Sequence, residues 1–390
     1  MLILVLNPGS SSLKYQLRHF GPSGVEPGVL LDRVVPAPSA GTSDPAFLAT
    51  VFDAVDAAVR RIPGRAHLDA IGHRVVHGGD HYHSPVRVSP EVMTTIEDLG
   101  ELAPLHNAAS VAYMRAAAGR WPNTPQVAVF DTAFHRTMPD VASRYAIPES
   151  MYQTYGIRRY GFHGISVDMA CRDTAMFLRI PVSSLNAVVA HVGNGASVTA
   201  IKNGRSVDTS MGMTPLAGLV MGTRSGDLDP SVVTLLQRRG LGPDQIDELL
   251  NHEAGLLGLA GSSDMRAVQD AAQRGDPRAS LASDMAAYRL AKYIAAYNMA
   301  VGGASALVFT GGVGEHSALF RSRVVSLLKP LGLFIDCGKN RTDDGGIRTV
   351  SSAQSTFPVL VVPCDEERAI AEATAALLSP GALARGSFTG

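Results

Sequence analysis

Residues 5–17, VLNPGSSSLKYQL, read as a strand, a glycine turn and a returning strand, and residues 190–201, AHVGNGASVTAI, repeat that plan. The first turn runs through Asn7, Gly9 and Ser10, the second through Asn194, Gly195 and Ser197. Asn7 and Asn194 stand 187 residues apart, close to half of the 390-residue chain. A duplicated hairpin of this kind offers backbone N–H groups and small side chains to a phosphate from two sides. The pair points to two lobes around a polyanion, with Lys14 just beyond the first turn. Two ordinary hairpin turns would read the same way, because Asn and Gly are common in turns.

Outward from these turns, short apolar runs alternate with helical segments. LILVL (2–6), VAVF (127–130), AVVAHV (187–192), ALVFTG (306–311) and VLVVP (359–363) are continuous enough for strands buried on both faces. Between them, DPSVVTLLQRRG predicts a helix with Asp229 as N-cap, Pro230 in the first turn and Gly240 closing it. The fold class is therefore α/β, and the Gly/Ser/Pro-rich stretch near residues 36–45 reads as a surface loop. With 46% hydrophobic and 18% charged residues, the chain is an ordinary globular one of two to three domains. Its 34 basic and 35 acidic residues give no reason to expect nucleic acid or a membrane as partner. The opening MLILVLNPG lacks a basic leader and is too short to span a bilayer, so nothing marks the chain for export. Cys171, Cys337 and Cys364 show no CxxC spacing and are expected as reduced core thiols in a cytosol.

A P-loop is excluded, because GxxxxGK[ST] is absent and the serine turn runs into strand-like alternation. ALVFTGGVGEHSALFRSRVVSLL (306–328) reads as strand, glycine turn and helix, with Gly312 and Gly314 opening the helix N-terminus to an anion. A dinucleotide fingerprint would need a third glycine where Ser317 stands, although Asp336 lies at the distance of a ribose contact. An adenosine site is the preferred reading. The densest chemical signal is DTSMGMTPLAGLVMGTRSGDLDP (208–230), where Arg224 sits among glycines with Thr223, Ser225, Asp227 and Asp229. Glycines let backbone approach a ligand, and a guanidinium there can make paired hydrogen bonds to carboxylate or phosphate oxygens. A structural arginine paired with Asp227 would leave the same trace.

His73, His77, His81 and His83 invite a zinc reading, but Gly78 and Gly79 interrupt any helix that would align them, and HExxH is absent. Arg74, between the first two, is of more interest. His163 in RRYGFHGIS follows Arg158 and Arg159, which suits an imidazole near an anion; a hydrogen-bonded core histidine fits as well. Asp131 ends the VAVF run, at the carboxyl end of a strand where open α/β sheets place their sites; a helix cap is the alternative.

NPGSSSLK, GHRVVHGG, PLHN, FDTAFH, RRYGFHG, HVGNGAS, TPLAGLVMGTRSGDLDP, SSDMR, FTGGVGE and DEE follow one another in this order. Across nearly its whole length the chain resembles the acetate kinase family, within the superfamily of acetate and sugar kinases, heat-shock ATPases and actin. The resemblance implies two duplicated actin-like ATPase (ribonuclease H-like) lobes with an active cleft between them, residues 1–135 plus 370–390 and residues 136–369. It implies a cytoplasmic homodimer that moves a phosphoryl group between ATP and acetate, giving acetyl phosphate and ADP, with Mg²⁺ as cofactor and Mn²⁺ able to substitute. Asn7 and Glu366 would hold the metal. Ser10, Ser12 and Lys14 would line the phosphate site, with His191, Val192, Gly193, Asn194 and Gly195 holding further phosphates. Asp264, Met265, Arg266, Gly312, Val313, Gly314, Glu315 and His316 would contact the nucleoside. Arg74 and Arg224 would clamp the carboxylate and the transferring group, with His163 and Asp131 completing the catalytic set. Val76, Leu105, Phe162 and Pro215 would enclose the methyl group. The chain departs from the family pattern at Val167, where a second histidine usually follows GFHG, at His316 in place of asparagine, at Ala108 in place of proline, and at Cys364 before DEE.

Chemistry agrees with that division of labour. A carboxylate is already ionised at pH 7 and needs no strong base, so alignment and charge neutralisation must do the catalysis. Asp131 is then expected to orient an arginine or histidine rather than to accept a proton. A nucleotide-gated hinge would have no use for the three cationic-type side chains, and an oxidoreductase would rest on the imperfect glycine turn alone. Propionate or butyrate as acceptor is the nearer rival, since one methylene discriminates by only about 1–3 kcal/mol.

Overall fold

The computed structural model describes residues 1–9, 12–20, 28–36, 43–101 and 104–379, with backbone alone at 101 and 104–106. Ser10 and the Leu105 side chain lie outside the described residues. The chain divides into two units, Met1–Ala133 with the chain from Asp365 onward, and Phe134–Cys364. The second crossing falls at 364/365 because the helix Glu366–Leu378 packs on strands of the first unit from its start.

The first unit is built on a six-stranded sheet of β1 (Leu2–Pro8), β2 (Ser12–His19), β3 (Gly28–Pro36), β4 (Ala70–Val75), β5 (Val86–Arg87) and β6 (Gln126–Phe130). Their order is β3-β2-β1-β4-β6-β5. β1 pairs antiparallel with β2 and parallel with β4, which pairs parallel with β6. Every residue of β1 and β6 is buried, which is why both read as unbroken apolar runs. On one face Leu2, Leu4, Leu6 and Leu13 pack against Leu48, Phe52, Val55 and Val59 of the helix Pro45–Arg60. That helix begins where the Asp44 carboxylate accepts from Phe47 N with Pro45 in the first turn. The opposite face carries Glu366–Leu378, capped by Asp365, whose carboxylate accepts from Arg368 N and pairs with the buried Arg18.

The second unit repeats the topology. β7 (Ala187–Val192), β8 (Ala196–Lys202), β9 (Arg205–Thr209), β10 (Ala306–Thr310), β11 (Arg348–Thr349) and β12 (Val359–Val361) lie in the order β11-β12-β10-β7-β8-β9. Adding six to each strand number of the first sheet reproduces this order, read from the other edge. Even the register breaks correspond, at Leu17/Arg18 in one second strand and Ala200/Ile201 in the other. The repeat of strand, glycine turn and strand is therefore a duplication of whole sheets. The helix Gly164–Leu178 packs on the core of β7, β8, β10 and β12, and the 24-residue helix Pro277–Ala300 starts from an Asp276 cap.

Three local expectations change. The helix after Asp229 starts at Ser231, with Pro230 preceding it and the Asp229 carboxylate accepting from Ser231 N; Gly240 has φ +97° at its end. Of the cysteines only Cys171 is buried; Cys337 is exposed, because it begins the short surface helix Cys337–Arg341, and Cys364 is half-buried. At the 306–316 turn the left-handed residue is Gly311, φ +78°, whose Cβ would press on the Val192 backbone at 3.0 Å. No described helix is long and apolar enough to cross a membrane.

Candidate active site

In the first unit four of the expected residues come together. Arg74 lies on β4, Asp131 follows β6, the strand beside it, and Asn7 lies on β1 at the other side. The Arg74 guanidinium donates to both Asp131 oxygens, from Nε at 3.2 and 3.1 Å and from Nη2 at 2.6 Å. Its Nη1 donates to Asn7 Oδ1 at 3.1 Å and stands 3.9 Å from Glu366 Oε2. Burial works against the arginine's charge, but Asp131 and then Glu366 outweigh it and hold the guanidinium ionised. Asn7 Nδ2 donates to Glu366 Oε2 at 2.9 Å and to Glu367 Oε1 at 2.8 Å. Burial, then the neighbouring Glu366, raises the Glu367 carboxyl above its ordinary range. Lys14 is exposed and opposite Asn7 in the β1–β2 register, and the Ser12 carbonyl accepts from Gly9 N at 2.8 Å to close the turn. Val76 is buried just beyond β4.

The histidines beside Arg74 are structural. His73 is buried against Gln126 at 2.7 Å, and burial brings its pKa down to about 4. His77 Nδ1 accepts from Gly79 N. Among the described residues no cluster of three or more His, Cys, Asp or Glu could hold a metal ion.

In the second unit the β7–β8 turn gathers His163, His191 and Arg224. His163 holds a left-handed backbone, φ 60°, at the entry to helix Gly164–Leu178, a conformation uncommon for residues other than glycine. Its Nδ1 meets the buried Ser197 hydroxyl at 2.9 Å, and its ring centre lies 4.5 Å from that of His191. A Cβ on Gly195 would stand 3.2 Å from Arg224 Nη2 and 3.4 Å from His163 Nε2, so glycine lets both side chains lie close to the turn without displacing them. Arg224 Nη1 donates to Pro215 O at 2.8 Å, bringing two expected residues together. Phe162 is buried, and its carbonyl accepts from Nε2 of His135, whose Nδ1 takes the Ser206 hydroxyl at 2.9 Å. His135, the last residue of the FDTAFH motif, thus props the GFHG segment from behind.

Two adjoining cavities lie beside this turn, of about 300 and about 560 Å³. Gly193, Asn194, Asp264, Met265, Arg266 and Val313 line both; Val192 faces the smaller, Gly312 and His316 the larger. Gly314 and Glu315 lie behind the wall instead. Glu315 Oε1 accepts from Gly311 N and Cys364 N at 2.9 and 3.0 Å, tying the β10 turn to the end of β12. The apolar floor of the smaller cavity, Val220, Met221, Leu256, Ala286 and Phe320, escaped sequence reasoning because it is assembled from separate segments with no common pattern. His316, at the larger mouth, is held through Nδ1 by Asp343 at 2.9 Å.

Residues 2–372 match the profile of the acetokinase family. The chain belongs to that family. An acetate kinase of Arthrobacter sp. is 54% identical over 383 residues, covering 97% of this chain and 99% of the relative. Among solved structures, the Porphyromonas gingivalis acetate kinase is 39% identical with a TM-score of 0.84, covering 97% of this chain and all of that one. A propionate kinase from Francisella tularensis subsp. tularensis is 38% identical with a TM-score of 0.85, covering 96% and 98%. The two-unit α/β architecture is thus that of the acetokinases, and the chain is a kinase of a family that transfers phosphoryl groups between ATP and acetate.

Proposed function

We propose that the protein catalyses reversible, Mg²⁺-dependent transfer of the ATP γ-phosphoryl group to acetate, giving acetyl phosphate and ADP in one in-line step. The observation that carries the reading is the convergence of Arg224 and His163 on the glycine turn that also walls a nucleotide-sized cavity. A carboxylate oxygen forms the new P–O bond as the bond to the ADP oxygen breaks, and no proton has to be removed. An arginine and an imidazole at the transferring group stabilise the charge that develops on its oxygens. Asn194, Asp264, Met265, Arg266, Gly312, Val313 and His316 are assigned to the nucleotide, with Lys14, Ser12 and His191 toward its phosphates. Arg74 is assigned to the carboxylate, and Asp131 to orienting that guanidinium.

For the metal, Asn7 Oδ1 and Glu366 Oε2 face the same Arg74 nitrogen, an oxygen-only donor pair of the kind Mg²⁺ takes while keeping water and phosphate oxygens. These two residues fit the ion, which when bound would neutralise phosphate charge. Mn²⁺ would serve there as well. The family kinship supports a cytoplasmic enzyme and a homodimer.

Propionate remains the competing acceptor, favoured by the likeness to the Francisella propionate kinase. Acyl phosphate trapped as the hydroxamate, with ATP, Mg²⁺ and acetate, propionate or butyrate, tests both. Highest kcat/KM with acetate supports the proposal, highest with propionate transfers it to the longer acid, and no product with any of the three rejects it.

A further inference from the structure

From the end of β9 at Thr209 to the helix at Ser231 the chain has no regular secondary structure, yet this segment carries Arg224. An irregular stretch of this length keeps one shape only if its backbone groups find partners; around Arg224, Thr223 O accepts from Ala254 N at 3.0 Å and Ser225 N donates to Leu250 O at 3.1 Å, and the Gly218–Asp227 part is held by side chains. These belong to two residues of the helix Pro277–Ala300, one turn apart on one face. Arg289 Nη1 donates to Asp227 O at 2.9 Å, Ser225 O at 3.2 Å and Gly218 O at 3.5 Å. The Tyr293 hydroxyl donates to Asp227 Oδ2 at 2.6 Å, and burial raises its pKa, so it stays a donor.

Two bonds between Gly218 and Asp227 turn these contacts into a closed ring. Gly218 N donates to Asp227 Oδ1 at 2.7 Å, and Asp227 N returns to Gly218 O at 3.0 Å. Gly218 and Gly226 take φ of +99° and +67° to allow it, and a Cβ on Gly226 would collide with the carbonyls of Leu219 and Gly218. Inside the ring Arg224 O accepts from Met221 N at 3.1 Å, and the guanidinium reaches out to Pro215 O. Neither Arg289 nor Tyr293 lines either cavity.

We propose that Arg289 and Tyr293 are positioning residues for phosphoryl transfer, holding the Gly218–Asp227 ring and with it the Arg224 guanidinium beside Gly195. The inference rests on the proposed role of Arg224 and adds the part of the fold that aims it. A guanidinium that bonds three carbonyls at once resists the small displacements to which in-line transfer is sensitive.

Steady-state kinetics of the full chain, with Arg289→Met, Arg289→Lys, Tyr293→Phe, Arg224→Ala and the Arg289→Met/Arg224→Ala double variant, test it. Arg289→Met should lower kcat on the order of 10²-fold with the KM for ATP within about threefold. Arg289→Lys should recover part of the loss, because an ammonium still donates to the carbonyls. Tyr293→Phe should lower kcat about fivefold through one lost hydrogen bond. The double variant should be no slower than Arg224→Ala alone, since the two act through one guanidinium. Losses that multiply in the double variant overturn the proposal, as does wild-type kcat in both Arg289→Met and Tyr293→Phe. Wild-type turnover in Arg224→Ala removes the reading beneath it, and the proposal with it, which a wild-type Arg289→Met does not do. If Arg289→Met does not fold, Tyr293→Phe with and without Arg224→Ala decides by the same rule, because it keeps the ring's packing.

Discussion

Asp131 is fully buried and both its oxygens accept from Arg74, so its charge helps to hold that guanidinium in place. Replacing it by asparagine keeps the shape but turns one acceptor into a donor facing a donor. Asp131→Asn should lower kcat/KM for the carboxylate on the order of 10²-fold through misplacement of Arg74, while the pH optimum stays where it was. A pH–rate profile checks this, and a displaced optimum would assign Asp131 to proton transfer instead. Glu315 teaches a related lesson. Its motif suggests a nucleotide ligand, but its carboxylate accepts two backbone N–H groups, and burial raises its pKa in that position. It braces the wall of the cavities from behind without lining them.

At the scale of elements, the two sheets place their first hairpins alike. In each, the first strand is buried throughout and its neighbour returns after a turn of three residues, so the turn emerges at the carboxyl end of a central strand. The helix Glu366–Leu378 fixes where Glu366 begins, and it can approach β4 only because Gly72 has no side chain. A Cβ there would lie 2.5 Å from Thr374 Oγ1 and 2.8 Å from Ile370 Cγ2. Gly72→Ala should destabilise the first unit by about 1–3 kcal/mol, the cost of overpacking a filled core. The urea midpoint measures it, and an unchanged midpoint would mean the helix yields freely.

For the molecule as a whole, one buried histidine of each unit, His73 in the first and His135 in the second, makes stability fall in acid. Burial lowers His73 and His135 to about 4, against an ordinary value of 6.5, so the folded units hold both rings neutral. The unfolded chain binds these protons first, and stability present above pH 6.5 is lost as pH falls toward 4, by roughly 3 kcal/mol per histidine at the limit. The Tm should therefore decline from pH 6.5 to 4.5, less steeply in His135→Gln; equal slopes in the two proteins would refute the assignment. The strands, the duplicated glycine turns, the arginine-bearing loop and the family were legible in the sequence, because periodicity and glycine-flanked polar residues are local patterns. Partnership was not. Arg74 finds Asp131 across 57 residues and Asn7 finds Glu366 across 359, and no local pattern encodes which side chains a sheet register will bring together. The bracing by Arg289, the place of Glu315 behind the cavity wall and the turn at Gly311 were likewise decided by tertiary packing, which selects one backbone path among the many that the same loop residues permit.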